Sequence, residues 1–403
     1  MNSCRTGFLL GCVILPAIVV FTACRERAGE RYNGKGTAIH LKYAHGFSIE
    51  SIDSLKMVRV FSPWQGGGKV MMQYLLRPAG VVVPDSLRHM KVITIPVKRV
   101  ICFSTTHAGM MSFLGVQESL VGFSGPHLLT DPYYIEKVRE GKIRDIGYDQ
   151  GLNYENIIGL KPDLIITYGI NAEVSKDIGR LEELGLPVVL NADYLESAPL
   201  GKAEWVKFIA SFFDLDTLAE KKFSRVVKEY LALKEVAAGV TARPGILTGL
   251  PWKDTWYMPG GRSFAAAFIR DAGGDYLFAS DTSRETLPLS IEQVYNVALG
   301  AGIWINPGSA VTAGEITGLE PRLATLPLFK SQQVYNNNAR MNGTGGNEYW
   351  ESGVMAPHLI LSDLINIFHP GLAGEQPLYF YRRIDFGTSR VSMKVRREEK
   401  SRL

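Results

Sequence analysis

The stretch Gly201–Gly239, GKAEWVKFIASFFDLDTLAEKKFSRVVKEYLALKEVAAG, decides how the rest of the chain is read. It reads as helix from end to end. In its second part Ala219, Phe223, Val226, Tyr230, Leu233 and Ala237 recur every three or four residues, while Glu220, Lys221, Lys222, Lys228 and Glu229 fill the other faces. That is the spacing of an amphipathic helix. Asp214 or Asp216 can cap its start and Gly239 can end it. A helix from Asp216 to Ala238 would run for roughly 35 Å, about the width of a small domain. It either lies on one domain or joins two as a strut, and the flanking sequence decides which.

Both flanks alternate strand and helix. Before the long segment, Val100–Ser104 is a buried-strand run and Met110–Leu114 continues as helix. NYENIIGLKPDLIITYG at 153–169 is a short helix feeding a strand, followed by a helix over Asn171–Leu184 and a strand at Pro187–Asn191. After it come GILTGLPW at 245–252, a helix over Arg262–Ala272, SIEQVYNVALGAGIWINPG at 290–308, a strand around Gln333–Tyr335 and a final helix near Ser352–Phe368. This alternation predicts α/β architecture with parallel sheets. Setting Glu155 against Glu292 lays the helix and strand of one half over those of the other. The expected fold is therefore two Rossmann-like α/β lobes, 99–200 and 240–381, joined by a single long interlobe helical segment at 201–239.

Residues 37–98 read as a β-rich extension: AIHLKYA, FSIES, KMVRVFS, KVMMQYLLR and KVITIPV are short, β-branched or alternating, and separated by Gly, Pro and Asp. They predict a small β-meander. Gly66-Gly67-Gly68-Lys69 is not a phosphate loop, because Val70 stands where Ser or Thr is required and a strand follows.

The termini carry a different message. Arg5 precedes an apolar run over Gly7–Phe21, too short for a comfortable membrane span, and small residues lead into Cys24. Residues 1–23 are thus read as a signal peptide. Phe21-Thr22-Ala23-Cys24 resembles a bacterial lipobox, which implies lipidation of Cys24, and RERAGERYNGKGT suits a tether over 24–36. The expected location is an exported, membrane-anchored lipoprotein facing the periplasm or cell exterior. Cys4 and Cys12 leave with the signal, so Cys102, in the apolar run VICF, remains as a buried, inert thiol. The basic tail 382–403 holds eight Lys or Arg against three Asp or Glu; without it and Arg5, the formal net charge of +4 becomes −2. A near-neutral body lacks the basic stripe that nucleic-acid binding needs, and the tail is read as a solvated extension. At 403 residues and 46% hydrophobic content, the chain can bury two cores.

Ligands of open parallel sheets bind beyond the carboxyl ends of the strands. The first half offers Ser104, Thr106, His107, Tyr168 and Tyr194 near such ends, and the second half Trp252, Trp256, Arg262, Arg284 and Arg340. Arginines suit anionic oxygens and the rings offer flat apolar walls; core packing is the plain alternative for each ring. The seven histidines show no helical ligand spacing, and neither HxH nor CxxC occurs, so no metal ligands are assigned. Phe123-Ser124-Gly125 lacks the pattern of a nucleophile elbow. No catalytic residue is assigned.

Five segments together carry a family likeness: RVICFSTTHAGMMSFLG, NYENIIGLKPDLIITYG, NAEVSKDIGRLEELGLPVV, the interlobe helix, and FIRDAGGDYLF with SIEQVYNVALGAGIWIN. Over roughly Arg99–Gly371 the chain resembles the lipid-anchored or periplasmic substrate-binding proteins of ABC importers for ferric siderophores, haem or cobalamin. The resemblance implies two lobes bridged by one long helix, a metal chelate held between them, little hinge motion, and no enzymatic activity or cofactor. It implies a monomer that delivers its ligand to an ABC permease in the inner membrane. It also implies two permease-docking acids, matched here by Glu173 in Asn171-Ala172-Glu173 and Asp275 in Gly273-Gly274-Asp275. Two other readings stay open: a free Zn- or Mn-binding protein of related fold, and an exported cleft enzyme such as a glycosidase, which needs paired carboxylates.

Overall fold

The computed structural model describes residues 37–147, 151–169 and 172–387, with the backbone alone for 172–176. The signal peptide, Cys24 with its tether, and residues 388–403 of the tail lie outside the described residues. The described residues belong to one compact unit.

The extension is a five-stranded sheet of β1 (Thr37–Ile39), β2 (Phe47–Ile52), β3 (Leu55–Phe61), β4 (Met71–Pro78) and β5 (Lys91–Ile95), paired in sequence order. Pairing is antiparallel through β4, as a meander requires, but β4 and β5 run parallel, because residues 79–90 carry the chain back along β4 before β5 begins. On one face Phe47, Ile49, Val58, Val60 and Tyr74 join the core of the first lobe. On the other, Ile52, Leu55, Met57 and Leu75 bury against Val83 and Leu87 of that returning segment.

The first lobe follows with β6 (Val100–Cys102), α1 (Thr105–Leu114), β7 (Leu120–Phe123), α2 (Pro132–Arg139), β8 (Arg144–Asp145), α3 (Tyr154–Gly159), β9 (Leu164–Thr167), α4 (Ala172–Glu183) and β10 (Val188–Leu190). Its sheet is parallel throughout, in the order β10-β9-β6-β7-β8. Strands β6, β9 and β10 are buried on both faces, which is why they read as continuous apolar runs. Cys102 is fully buried, and burial pushes its thiol well up from its ordinary value.

The deciding stretch forms three helices: α5 (Pro199–Glu204), α6 (Val206–Ser211) and α7 (Asp216–Ala238). The expected continuous helix breaks at 212–215, where Asp214 takes a left-handed conformation (φ 57°) and Phe213 and Leu215 both donate to the Ala210 carbonyl. Neither aspartate caps α7. Leu215 occupies the cap position with no side-chain bond, and Lys56 of β3 instead holds both Asp214 and Asp216. The strut itself is α7: Ala219 and Phe223 lie in the first lobe's core, and Val226, Tyr230 and Ala237 in the second's. α5 and α6 are buried almost all round, so Glu204, with no exposed surface, needs partners. It accepts from the Lys42, Tyr43 and Ala44 amides and from Lys207 Nζ, which ties the extension to the helices.

The second lobe comprises β11 (Gly245–Thr248), β12 (Pro251–Trp252), β13 (Thr255–Pro259), α8 (Phe264–Asp271), β14 (Asp275–Tyr276), β15 (Thr286–Ser290), α9 (Ile291–Ala298), β16 (Ile303–Ile305), α10 (Ala313–Leu319), α11 (Pro327–Lys330), β17 (Val334–Asn336), α12 (Pro357–Phe368) and β18 (Arg382–Arg383). GILTGLPW, read as one strand, splits into β11 and β12 at Gly249 (φ 77°). The main sheet runs β14-β11-β16-β17-β18, and β12, β13 and β15 form a small antiparallel sheet. β11, β14, β16 and β17 repeat the order of β6, β7, β9 and β10, so the repeat inferred from Glu155 and Glu292 is present in the topology. The start of the tail is woven in rather than solvated: β18 pairs antiparallel with β17, and Ile384 is buried.

Candidate functional site

Both main sheets change strand order beside their first strand, β6 or β11, and the open space between the lobes lies on this carboxyl-end side in the first lobe. A cavity of about 580 Å³ opens there, within the usual range for small-molecule sites. Three parts of the chain wall it. Tyr194–Ser197, just after β10, form one side; Pro259, Ser263–Ala265 and Arg284–Thr286 of the second lobe form another. The third is the β3–β4 connection of the extension, through Ser62 and Trp64–Gly68. Phe264 also lines a narrow crevice with Thr106, Lys202, Tyr349 and Trp350, which continues the interlobe space past the cavity.

Of the residues expected from sequence, Tyr194 and Arg284 line the cavity and Thr106 the crevice. His107 and Tyr168 stand behind Tyr194 in a train of edge-on rings, with centroids 6.4 Å apart at each step. His107 is fully buried, and among the described residues neither ring nitrogen meets a partner in ordinary hydrogen-bond geometry. Burial lowers its pKa to about 4, against the opposing pull of Asp193 and the nearby Ile166 carbonyl, so the ring is neutral near pH 7. Asn191 Nδ2 and Asp193 Oδ2 are also buried without hydrogen-bond partners among the described residues. Ser104 caps α1 through the Thr106 amide.

The structure does not bring the remaining candidates to the cavity. Trp256 has no exposed surface; it packs on Trp304 at 5.7 Å and donates to the Thr248 carbonyl, so it serves the core. Trp252 is 62% exposed beside Lys253 on the small sheet. Arg262 is exposed just before the Ser263 wall residue. Arg340 pairs with Glu348 and sits over the Tyr379 ring, which occupies its guanidinium. Glu173 stands in the first turn of α4, past the carboxyl end of β9, with its side chain outside the described residues. Asp275 is exposed in register with Gly245, at the amino end of β14, so the two acids stand at opposite ends of their strands.

Several wall residues are absent from the sequence-based list. Trp64 and Gln65 escape a search confined to strand ends of the α/β part. Phe264 opens α8 and Lys202 stands in the last turn of α5, on helix sides that only the fold reveals. Arg284 lines the cavity without an acidic partner among the described residues, and Lys202 Nζ lies 5.3 Å from the Phe264 ring centroid. Among the described residues, no three His, Cys, Asp or Glu side chains gather as a metal-ion donor set.

Residues 100–336 match the sequence pattern of the periplasmic binding protein family. The chain belongs to that family. An uncharacterized lipoprotein of Methanocaldococcus jannaschii is 25% identical over 399 residues, covering 93% of each chain. The vitamin B12-binding protein of Salmonella typhi is 31% identical over 157 residues, 38% of this chain and 55% of that protein. Among solved structures, a possible iron-binding periplasmic solute-binding protein of Staphylococcus epidermidis superposes with a TM-score of 0.53 at 18% identity, covering 68% of this chain and 98% of the other. A periplasmic heme binding protein of Pseudomonas aeruginosa gives 0.52 at 17% identity, covering 68% and 93%. The fold is thus the two-lobed α/β architecture of periplasmic binding proteins, and the family is one of binding proteins.

Proposed function

We propose that this protein is the substrate-binding component of an ABC importer, capturing a metal chelate in the interlobe cavity and passing it to a membrane permease. The observation that carries the reading is the 580 Å³ cavity, lined by the aromatic residues Trp64, Tyr194 and Phe264 together with Arg284, which has no acidic partner among the described residues. Flat rings suit the apolar faces of a porphyrin, corrin or catecholate, and a guanidinium suits propionate or other anionic oxygens. The lipoprotein relatives support lipidation at Cys24. Glu173 and Asp275 remain the proposed permease contacts.

Native mass spectrometry of the purified protein, then calorimetric titration with hemin, cobalamin and ferric siderophores, tests the reading. At least one chelate should bind. Arg284→Ala should weaken an anionic chelate about tenfold, ~1.5 kcal/mol for a charge-assisted hydrogen bond. Failure of every chelate to bind would sink the function, and an Arg284→Ala affinity equal to wild type would sink this placement of the site.

A further inference from the structure

The third wall of the cavity comes from the extension, outside the segment shared with the family. Its shape is held from within. Ser62 N donates to the Val70 carbonyl at 2.8 Å, Gly67 N to Trp64 O at 2.9 Å and Val70 N to Gly67 O at 3.0 Å, while Ser62 Oγ donates to Gly68 O. Gly66 (φ 77°) and Gly68 (φ 56°) take left-handed conformations that favour glycine.

The tip is also fastened to the first lobe. A Cβ at Gly169 would lie 3.3 Å from Trp64 Cβ and 3.4 Å from Trp64 Cε3, so glycine there lets the tryptophan settle onto the end of β9. The Tyr194 hydroxyl donates to the Gly169 carbonyl, placing the cavity tyrosine beside the same contact. Below the tip, Val58 and Val60 share a core with Trp205 and Phe208, and Glu196 accepts from the His45 and Gly46 amides and from Trp205 Nε1. A hairpin gripped at its tip, along β3 and through the neighbouring start of β2 is a fixed wall and not a flap. Across the cavity from this first-lobe side stand Pro259 and Arg284–Thr286.

We propose that the Ser62–Gly68 tip is a specificity-determining part of the ligand site: Trp64 stacks on a flat apolar part of the chelate and Gln65 hydrogen-bonds its polar rim. The inference rests on the chelate-binding reading above. An added wall closes one side of an otherwise two-walled cleft, so it limits how far a ligand extends there and rewards a flat face over a globular one.

The test uses the full mature chain and calorimetric titration with hemin, cobalamin, a ferric tris-catecholate and a ferric hydroxamate. Trp64→Ala should weaken the preferred chelate about tenfold, from a lost aromatic contact of ~1.5 kcal/mol, and change the order of preference among the four. Trp64→Phe should stay within about threefold, because a flat ring remains. Met71→Ala, on the same hairpin but away from the cavity, should bind as wild type. Melting curves check folding; if Trp64→Ala does not fold, Gln65→Ala carries the test by weakening the same chelate. If wild type binds a chelate and the tip variants match it in affinity and preference, the proposal is overturned while the transport reading stands. If wild type binds none of the four, both are overturned.

Discussion

The two lobes repeat one strand order, yet the carboxyl ends of their first strands, β6 and β11, are finished differently. In the first lobe the strand ends carry buried polar groups, His107, Asn191 and Asp193, beneath the Tyr168 and Tyr194 rings. In the second lobe the chain leaves β11 to build the small β12-β13-β15 sheet, and Trp256 and Trp304 seal the strand ends by donating to the Thr248 and Gly249 carbonyls. The first lobe keeps polar groups without hydrogen-bond partners among the described residues behind an open wall, while the second pairs its buried Asn336 and Asn338 with the Gly308 and Ala310 carbonyls and covers the end of β11 with apolar bulk. Thus the repeat supplies the scaffold, while the surface facing the cavity comes from the hairpin tip, the turn after β10, and the starts of α8 and β15.

The largest effect should come from breaking the seal. Trp256→Ala removes a fully buried indole and leaves a cavity, costing about 3–5 kcal/mol in urea denaturation. Tyr194→Phe, on the open wall, should cost less than about 1 kcal/mol. Similar losses for the two would mean that the lobes are finished alike after all.

Glu351 sharpens the comparison, because it belongs to the second lobe but is spent on the first. Its carboxylate accepts from the Thr130 amide at 2.6 Å and the Asp131 amide at 2.8 Å, at the start of α2. Burial raises its pKa from 4.5 to about 7, despite the two amides that favour its charged form. The folded state therefore holds this proton more tightly than the unfolded state. Between pH 4.5 and about 7 the native protein binds more protons, so stability falls as pH rises and the full cost is present above pH 7. His107 acts in the opposite sense: its lowered pKa makes stability rise with pH between about 4 and 6.5. The two trends overlap, so the informative quantity is the difference between wild type and Glu351→Gln. That difference should shift by about 3 kcal/mol against wild type from pH 4.5 to 7.5. A difference independent of pH would show that the carboxyl is not held protonated.

Much of the fold was legible because its signals are local. The 3.6-residue period from Ala219 to Ala237 marks α7 with the boundaries seen, and apolar runs such as LIIT mark strands buried on both faces. The break at 212–215 was not legible, since it depends on a left-handed Asp214 and on Lys56, more than 150 residues away in sequence, taking both nearby aspartates. The site was legible only in part. Tyr194 and Arg284 follow from position near strand ends and from side-chain chemistry, but Trp64 belongs to a hairpin whose docking on Gly169 no local pattern announces. Trp256 misled for the same reason. An aromatic in a short strand after β11 looks the same in sequence whether its ring faces a cavity or another indole.

The smallest effect should be in overall dimensions. α7 crosses from one core to the other as a single helix, and bending it would break backbone hydrogen bonds. A second set of ties lies apart from it: Asn342 Nδ2 donates to the His127 and Leu129 carbonyls, Thr344 Oγ1 donates to the His127 carbonyl, and Thr105 Oγ1 donates to the Trp350 carbonyl. Packing there is tight enough that a Cβ on Gly109 of α1 would fall 2.1 Å from the Glu351 carbonyl oxygen. Two separate connections leave no single axis about which the lobes can swing. Ligand binding should then change the radius of gyration in small-angle scattering by less than about 1 Å, as for other pre-organised sites. A larger compaction on addition of a bound chelate would mean that the interlobe ties open, and that the difference between the lobes includes mobility as well as chemistry.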